Sequence, residues 1–147
     1  MNISNQEYGE LAKRISPPSS MAKTIPMAFL IGGAICTLGE ALLNMYASLG
    51  LSQDDAGAMT SMTLIFLSAL LTGLKLYDRI AQVAGAGTLV PITGFANSVV
   101  SPALEFKSEG FVLGLGAKMF VIAGPVLVYG ISASIVYGII YYITTLF

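Results

Sequence analysis

Three apolar runs, each long enough to cross a membrane, take up most of this 147-residue chain. They cover residues 25–49, 58–76 and 111–147, and a polar turn at 50–57 separates the first two. An α-helix rises about 1.5 Å per residue, so about 20 apolar residues span a bilayer. Inside lipid a helix satisfies all its backbone polar groups within one segment. The pattern therefore predicts an all-α integral membrane protein.

Composition supports the same fold class. Hydrophobic residues make up 55% of the chain and charged residues 10%, whereas a soluble domain usually carries about 25% charged residues. The chain cannot cover itself with a polar surface, so a lipid bilayer is its predicted surroundings. The net charge of −1 gives no basic footprint for nucleic acid, and no nucleic-acid partner is expected.

The scarcity of reactive side chains argues against an enzyme. The chain has no histidine, and its one cysteine, Cys36, lies inside the first apolar run. Disulfide frameworks, Cys/His zinc sites and His-based triads are thereby excluded. Only carboxylates and lysines remain for acid–base work, and no pair of them has persuasive spacing. We expect no catalytic residue, no resident metal and no cofactor.

The N-terminal residues differ in character from the rest. Residues 5–15 carry apolar side chains at helical spacing, which predicts a short amphipathic helix on a membrane surface or a partner. A frayed polar tail is an equal alternative, because isolated helices this short are marginal. The chain thus divides into a cytoplasmic arm and linker, 1–24, and a single polytopic membrane domain, 25–147. Full crossings of that domain are predicted near 25–49, 58–77 and 119–146.

Residues 80–104 form a broken apolar segment. Its interruptions are glycines and prolines: Gly85, Gly87, Pro91, Gly94 and Pro102. Proline removes a backbone donor and disrupts a helix interior. Irregular backbone at membrane depth survives only when it is buried in protein or lines a watery cavity. The segment is therefore predicted to be a discontinuous or re-entrant element. A second break is predicted in the last run, at Gly124-Pro125.

The cations of the loops predict the orientation. They precede the first run or follow the second: Lys13, Arg14, Lys23, Lys75 and Arg79. The 50–57 turn has none, so the N-terminus is expected in the cytoplasm and this turn outside. If 80–104 re-enters, Lys107 and Lys118 also lie inside, and if it crosses, both lie outside. The rule favours re-entry.

The first polar stripe consists of Gly33, Thr37, Glu40 and Asn44, which repeat at three- and four-residue spacing within the first run. A carboxyl group inside a bilayer is expensive and is a functional candidate by default. One interpretation is a glutamate that faces a conduit or an ion. The other is a structural glutamate bonded to a neighbouring helix.

The second polar stripe lies in the broken segment, where Thr93, Asn97, Ser101 and Glu105 are four residues apart. On a half-helix they would form one polar face, and half-helix ends direct partial charges at ions. Ordinary hydrogen bonding between helices explains the Ser, Thr and Asn residues equally well.

A charged group begins at the last residue of this stripe and consists of Glu105, Lys107, Glu109 and Lys118. They could guard a mouth or bind a charged solute, or they could be a solvated turn at the membrane interface. In the last run Gly130, Ser134 and Gly138 form a C-terminal ridge of small residues, which is typical of a close helix–helix contact.

A long block at 85–130 resembles the signature of the stage V sporulation protein A family. It reads GAGTLVPITGFANSVVSPALEFKSEGFVLGLGAKMFVIAGPVLVYG. The two runs before it also fit the family, whereas residues 1–22 carry less of the match. The resemblance implies an integral protein of the forespore and spore inner membrane. In that membrane the cytoplasmic side, where the loop cations place the N-terminus, is the spore core.

The resemblance also implies a function. The family's complex moves dipicolinic acid, usually with calcium, into the developing spore and out of it during germination. An AE-like membrane member shares the conduit, and an AD-like soluble thiolase-fold member docks on it. Dipicolinate is a rigid aromatic dianion, which a few lysines, carboxylates, hydroxyls and amides could accommodate. The rival hypothesis is a non-conducting scaffold that anchors the thiolase-like partner.

Under the transport hypothesis the polar residues take two roles. The candidates that line the conduit are Glu40, Asn44, Thr93, Asn97 and Ser101. The candidates at its mouth or gate are Glu105, Lys107, Glu109 and Lys118. Such a small chain cannot easily enclose a pore alone, so an oligomer is expected, with the C-terminal ridge as a candidate contact.

Overall fold

The computed structural model describes residues 5–15, 20–89 and 91–146, and most of these residues are helical with no strand among them. The six α-helices are α1 (Asn5–Ile15), α2 (Met21–Ser48), α3 (Gln53–Gly73), α4 (Tyr77–Ala84), α5 (Ile92–Glu105) and α6 (Ala117–Leu146). A 3₁₀ turn, Gly85–Thr88, joins α4 to α5, and a π-helical turn, Phe111–Gly116, precedes α6.

Three helical stretches have the length and hydropathy of membrane crossings: Met21–Ser48, Gln53–Gly73 and Phe111–Leu146. The predicted all-α membrane fold is confirmed, including the N-terminal helix, α1. The predicted break at Gly124-Pro125 is wrong, because α6 continues through Pro125. Membrane helices tolerate proline where local adjustments satisfy the freed carbonyl group.

The first two crossings form a tight antiparallel pair. Gly50, with a φ of 91°, turns the chain between them. The side chain of Ser52 then caps α3 by accepting a hydrogen bond from the Asp55 backbone N–H. Along the pair, the hydroxyls of Tyr46 and Thr63 lie 2.8 Å apart.

Helix α3 is the central helix. Its buried residues recur every four positions and are mostly small or hydroxylated: Ala56, Thr60, Leu64, Ser68 and Thr72. Small side chains let neighbouring backbones approach closely, so α3 packs against α2 as well as α5.

The register of α5 along α3 shows that residues 77–105 re-enter. Ser68 Oγ lies 2.6 Å from the carbonyl oxygen of Thr93, and Thr72 Oγ1 lies 2.8 Å from Asn97 Oδ1. Both pairs are separated by 25 residues, so α5 runs parallel to α3. Since the chain leaves α3 at Gly73 and then runs beside it in the same direction, α4 and the 3₁₀ turn must first lead back along the bundle. We call α4, this turn and α5 the re-entrant hairpin.

The tip of the re-entrant hairpin presses on α2. A Cβ atom at Gly87 would overlap the carbonyl oxygen of Ala28, and one at Gly94 would overlap that of Thr88. Glycine is required at both positions for these close backbone approaches. Gly87 therefore lets the tip of the hairpin pack closely on α2, and Gly94 lets the chain fold tightly back on Thr88 within the hairpin.

Helix α6 leaves the bundle. It packs on α5 near its start, where Ala123 is 1% exposed. Every residue from 125 to 146 is exposed. The outer part of the third crossing therefore has no cover from the described parts of the chain.

Candidate functional site

Hydrogen bonds join the two arms of the re-entrant hairpin to each other and join the hairpin to α3. The Tyr77 hydroxyl lies 3.2 Å from the carbonyl oxygen of Thr88 and 3.2 Å from Thr93 Oγ1. The Ser68 hydroxyl donates to the Thr93 carbonyl, and Thr72 contacts Asn97. In the described residues every buried side-chain nitrogen or oxygen has a partner. This network holds the hairpin against α3.

The second polar stripe divides between this network and a more open region. Thr93 is buried, and Asn97 is half-buried against Thr72. Within one chain these two residues face α3, so the hydrogen bonding that was one of the two interpretations is present. Ser101 and Glu105, one and two turns further along α5, line a cavity instead.

That cavity, the charged crevice, lies where α3 and α5 end and has a volume of about 580 Å³. It is lined by Thr72, Gly73, Lys75, Asp78, Ser101, Leu104, Glu105 and Lys107. Its size is within the range of about 300–1,000 Å³ that is typical of small-molecule sites. Because the hairpin re-enters, the turn after α3 and the turn after α5 meet here.

The crevice presents two ammonium groups and two carboxylates. Lys75 and Lys107 supply the positive charges, and Asp78 and Glu105 the negative ones. In the described part of the chain none of the four forms an ion pair with another side chain. Charges that do not neutralise each other stay available to a solute that enters the crevice.

The other two mouth candidates lie elsewhere. Glu109 is exposed in the turn before Gly110. The Lys118 ammonium lies 4.7 Å from the centroid of the Phe106 ring, which is a favourable cation–π distance. Lys118 lines a separate cavity of about 190 Å³ between α5 and α6. The structure thus brings together only Glu105 and Lys107 of the predicted mouth residues.

The lysines and arginines of the bundle lie at one end. Lys23 is at the start of α2, Lys75 and Arg79 follow α3, Lys107 follows α5, and Lys118 is at the start of α6. The opposite end has Asp54 and Asp55 in the first turn of α3. The fold therefore gathers the positive charge on the side where the crevice opens.

The first polar stripe faces away from the rest of the chain. Gly33, Thr37, Glu40 and Asn44 are all exposed, and none of the residues of α2, which the structure describes in full, is buried. Asn44 Nδ2 donates to Glu40 Oε1 at 3.2 Å. A carboxyl group in lipid costs about 3 kcal/mol or more, so protein or water must cover this face in a membrane.

The C-terminal ridge is also exposed. Gly130 and Ser134 line a shallow groove of about 440 Å³ on α6, and Ser134 Oγ donates to the Gly130 carbonyl. Gly138 continues the ridge one turn further, where an added Cβ would meet open space. A role in helix packing stays a prediction.

Comparison with known proteins decides the family. The model of the SpoVAC/SpoVAEB sporulation membrane protein family matches residues 24–140. The chain belongs to this family. Stage V sporulation protein AC of Bacillus subtilis (strain 168) is 47% identical over 136 residues, which cover 92% of this chain and 91% of that protein. No solved structure matches. The resemblance read from residues 85–130 is thereby confirmed.

The SpoVAC/SpoVAEB match covers both polar stripes, the re-entrant hairpin and the charged crevice, and it stops before the end of α6. Reasoning from the sequence missed Thr72, Lys75 and Asp78 as crevice residues. The signal was the cluster of charges that follows the second run. The sequence does not show that this cluster lies beside residues 101–107, because their proximity depends on the path of the hairpin.

Proposed function

We propose that this sporulation membrane protein is a subunit of a channel or permease for dipicolinic acid in the forespore and spore inner membrane. The observation that carries the proposal is the re-entrant hairpin, whose two ends open on the charged crevice. Transporters commonly form solute sites from discontinuous helices. The proposed role is transport, with no catalytic residue and no resident cofactor.

The chemistry of the crevice suits a dicarboxylate. The ammonium groups of Lys75 and Lys107 can each donate a hydrogen bond to a carboxylate, and so can the Ser101 hydroxyl. Asp78 and Glu105 are hard oxygen donors of the kind that calcium prefers. A calcium complex of dipicolinate therefore meets complementary groups of both signs.

The hydrogen bonds between α3 and α5 hold a closed state in this proposal. Thr93 and Asn97 lie against α3. A solute in the crevice can therefore reach Ser101, but the packed contact between α3 and α5 blocks its way further along the helices. Opening separates the hairpin from α3 and exposes these two residues to the passage. Glu40 and Asn44 lie on the outer face of α2, so they add to the polar lining only where that face meets another chain. Glu109 and Lys118 flank the mouth.

Partners complete the passage. Three crossings and one hairpin cannot enclose a pore, so we assign the remaining walls to an AE-like membrane subunit and further chains. An AD-like soluble thiolase-fold protein docks at the charged end. Since cations concentrate on the cytoplasmic side of membrane proteins, the charged end and the N-terminus face the spore core.

The test is leakage of calcium dipicolinate from sealed proteoliposomes that hold this chain with its AE-like relative. Lys75→Ala and Lys107→Ala should each slow leakage about tenfold, since one charge-assisted hydrogen bond is worth about 1.5 kcal/mol. Lys23→Ala is the matched control, because Lys23 lies at the same end but outside the crevice. Equal leakage from all three variants would contradict the assigned site.

One observation favours the scaffold as a second candidate function. Tyr8, Leu11 and Ile15 of α1 are exposed at 66%, 50% and 71%, so the arm offers an apolar face to a soluble partner. If α1 anchors the thiolase-like protein and the chain conducts nothing, deletion of residues 1–15 should abolish docking, and the crevice variants should leave both docking and leakage unchanged.

A further inference from the structure

The first polar stripe lies on a part of α2 that the chain itself does not use. At about 100° per residue, Gly33, Thr37, Glu40 and Asn44 fall within about 60° of one another. The chain's own contacts are made about 120° away, where Gly32 meets the backbone of Gly87 and Gly39 meets Leu64. The stripe is therefore neither part of the α2–α3 contact nor part of the contact with the hairpin.

We propose that this face binds a second copy of the same chain, with the two α2 helices parallel and related by a two-fold axis along the membrane normal. The hydrogen bond within the stripe joins Asn44 Nδ2 to Glu40 Oε1. Among the residues that the structure describes, it leaves Glu40 Oε2, the second N–H of the Asn44 carboxamide and Asn44 Oδ1 without a partner. The face thus carries both free acceptors and a free donor.

A second copy of the chain carries the same donor and acceptors, so it can satisfy these groups. In a parallel pair, Asn44 of each chain can donate to Glu40 Oε2 of the other, so that one contact occurs twice, as two-fold symmetry demands. Both copies insert in the same orientation because they share the same distribution of cations. Glu40 and Asn44 therefore reach the same depth in both helices.

The small residues of the stripe, Gly33 and Thr37, also favour close packing against the α2 helix of a second copy. A Cβ atom added at Gly33 would meet nothing within 4 Å, so the chain's own packing does not require glycine there. The Thr37 hydroxyl is satisfied by the Gly33 carbonyl at 2.9 Å, and it presents a compact surface. Small residues one turn apart let two membrane helices approach closely.

This inference does not depend on the proposed transport function, because it concerns self-association alone. The first experiment is disulfide cross-linking of the full chain in membranes, in a Cys36→Ser background. Thr37→Cys places a thiol in the stripe, and Leu38→Cys places one at nearly the same depth but about 100° around the helix. Thr37→Cys should form covalent dimers at least about fivefold faster than Leu38→Cys.

Variants of the polar pair provide the second arm. In the Thr37→Cys background, Glu40→Leu with Asn44→Leu should lower dimer formation about fivefold. Glu40→Gln should preserve it, because a carboxamide oxygen can still accept from Asn44. Co-purification of two differently tagged copies of the full chain from nanodiscs should follow the same order.

Three results would overturn the proposal. The first is equal cross-linking at residues 37 and 38. The second is an inserted chain that stays monomeric in the two-tag experiment. The third is a Thr37→Cys chain that cross-links only to a different membrane protein, which would assign the face to that partner.

Discussion

The Oγ1 atom of Thr72 and the Oδ1 atom of Asn97 lie 2.8 Å apart, across the contact between α3 and α5. This one pair joins the end of the second crossing to the re-entrant hairpin. Ser101, one turn after Asn97 in α5, lines the charged crevice, and Thr72 lines it as well. The Thr72–Asn97 contact thus marks the boundary between the open crevice and the packed interior.

Thr72→Val should loosen the hairpin. It removes the hydroxyl but nearly keeps the volume, and a hydrogen bond between membrane helices is worth about 0.6 kcal/mol, with a maximum near 1.7. Hydrogen exchange of the α5 backbone amides should become faster by about threefold or more. In vesicles that also hold the AE-like relative, leakage should rise because the closed state is weakened.

Asn97→Leu should have the opposite effect on leakage. It also breaks the contact with Thr72, but it replaces a polar group of the proposed passage with an apolar one. Leakage of calcium dipicolinate should fall below that of the unchanged chain, while co-purification with the AE-like relative persists. If both variants changed leakage in the same direction, Asn97 would act only through packing.

The hairpin tip should not accept a larger residue. Gly87→Ala would place a Cβ atom on the Ala28 carbonyl oxygen, and such overpacking typically costs about 1–3 kcal/mol. The variant should lower the thermal midpoint in detergent. Gly57→Ala is the control, because a Cβ atom there meets open space within α3, and it should match or exceed the stability of the unchanged chain.

The re-entrant path makes a direct prediction about sidedness. In a Cys36→Ser background, Lys107→Cys and Lys75→Cys should react with a membrane-impermeant thiol reagent from the same side. Asp54→Cys should react only from the other side, since Asp54 lies in the first turn at the opposite end. If residue 107 were labelled together with residue 54, segment 80–104 would cross the membrane, contrary to the register of α5 on α3.

Much of the fold could be predicted from local patterns. Long apolar runs specify membrane helices because lipid leaves the backbone no other way to satisfy its polar groups within one segment. The glycines and prolines of residues 80–104 predicted a broken segment, because they disrupt a helix and leave backbone polar groups that lipid cannot satisfy. The helix break predicted at Gly124-Pro125 was wrong, because a single proline within a long membrane helix need not end it.

The sequence by itself determined an all-α membrane protein with three crossings, one broken segment and a distinctive family block. Only the tertiary structure decided that α5 runs parallel to α3, since the register rests on contacts such as Ser68 with Thr93, which are 25 residues apart. That register joins Lys75 and Asp78 to Glu105 and Lys107 in one crevice. It also turns Thr93 inward, while Glu40 faces outward. Spacing along one helix reveals which residues share a face, but what that face meets depends on the packing of the other helices.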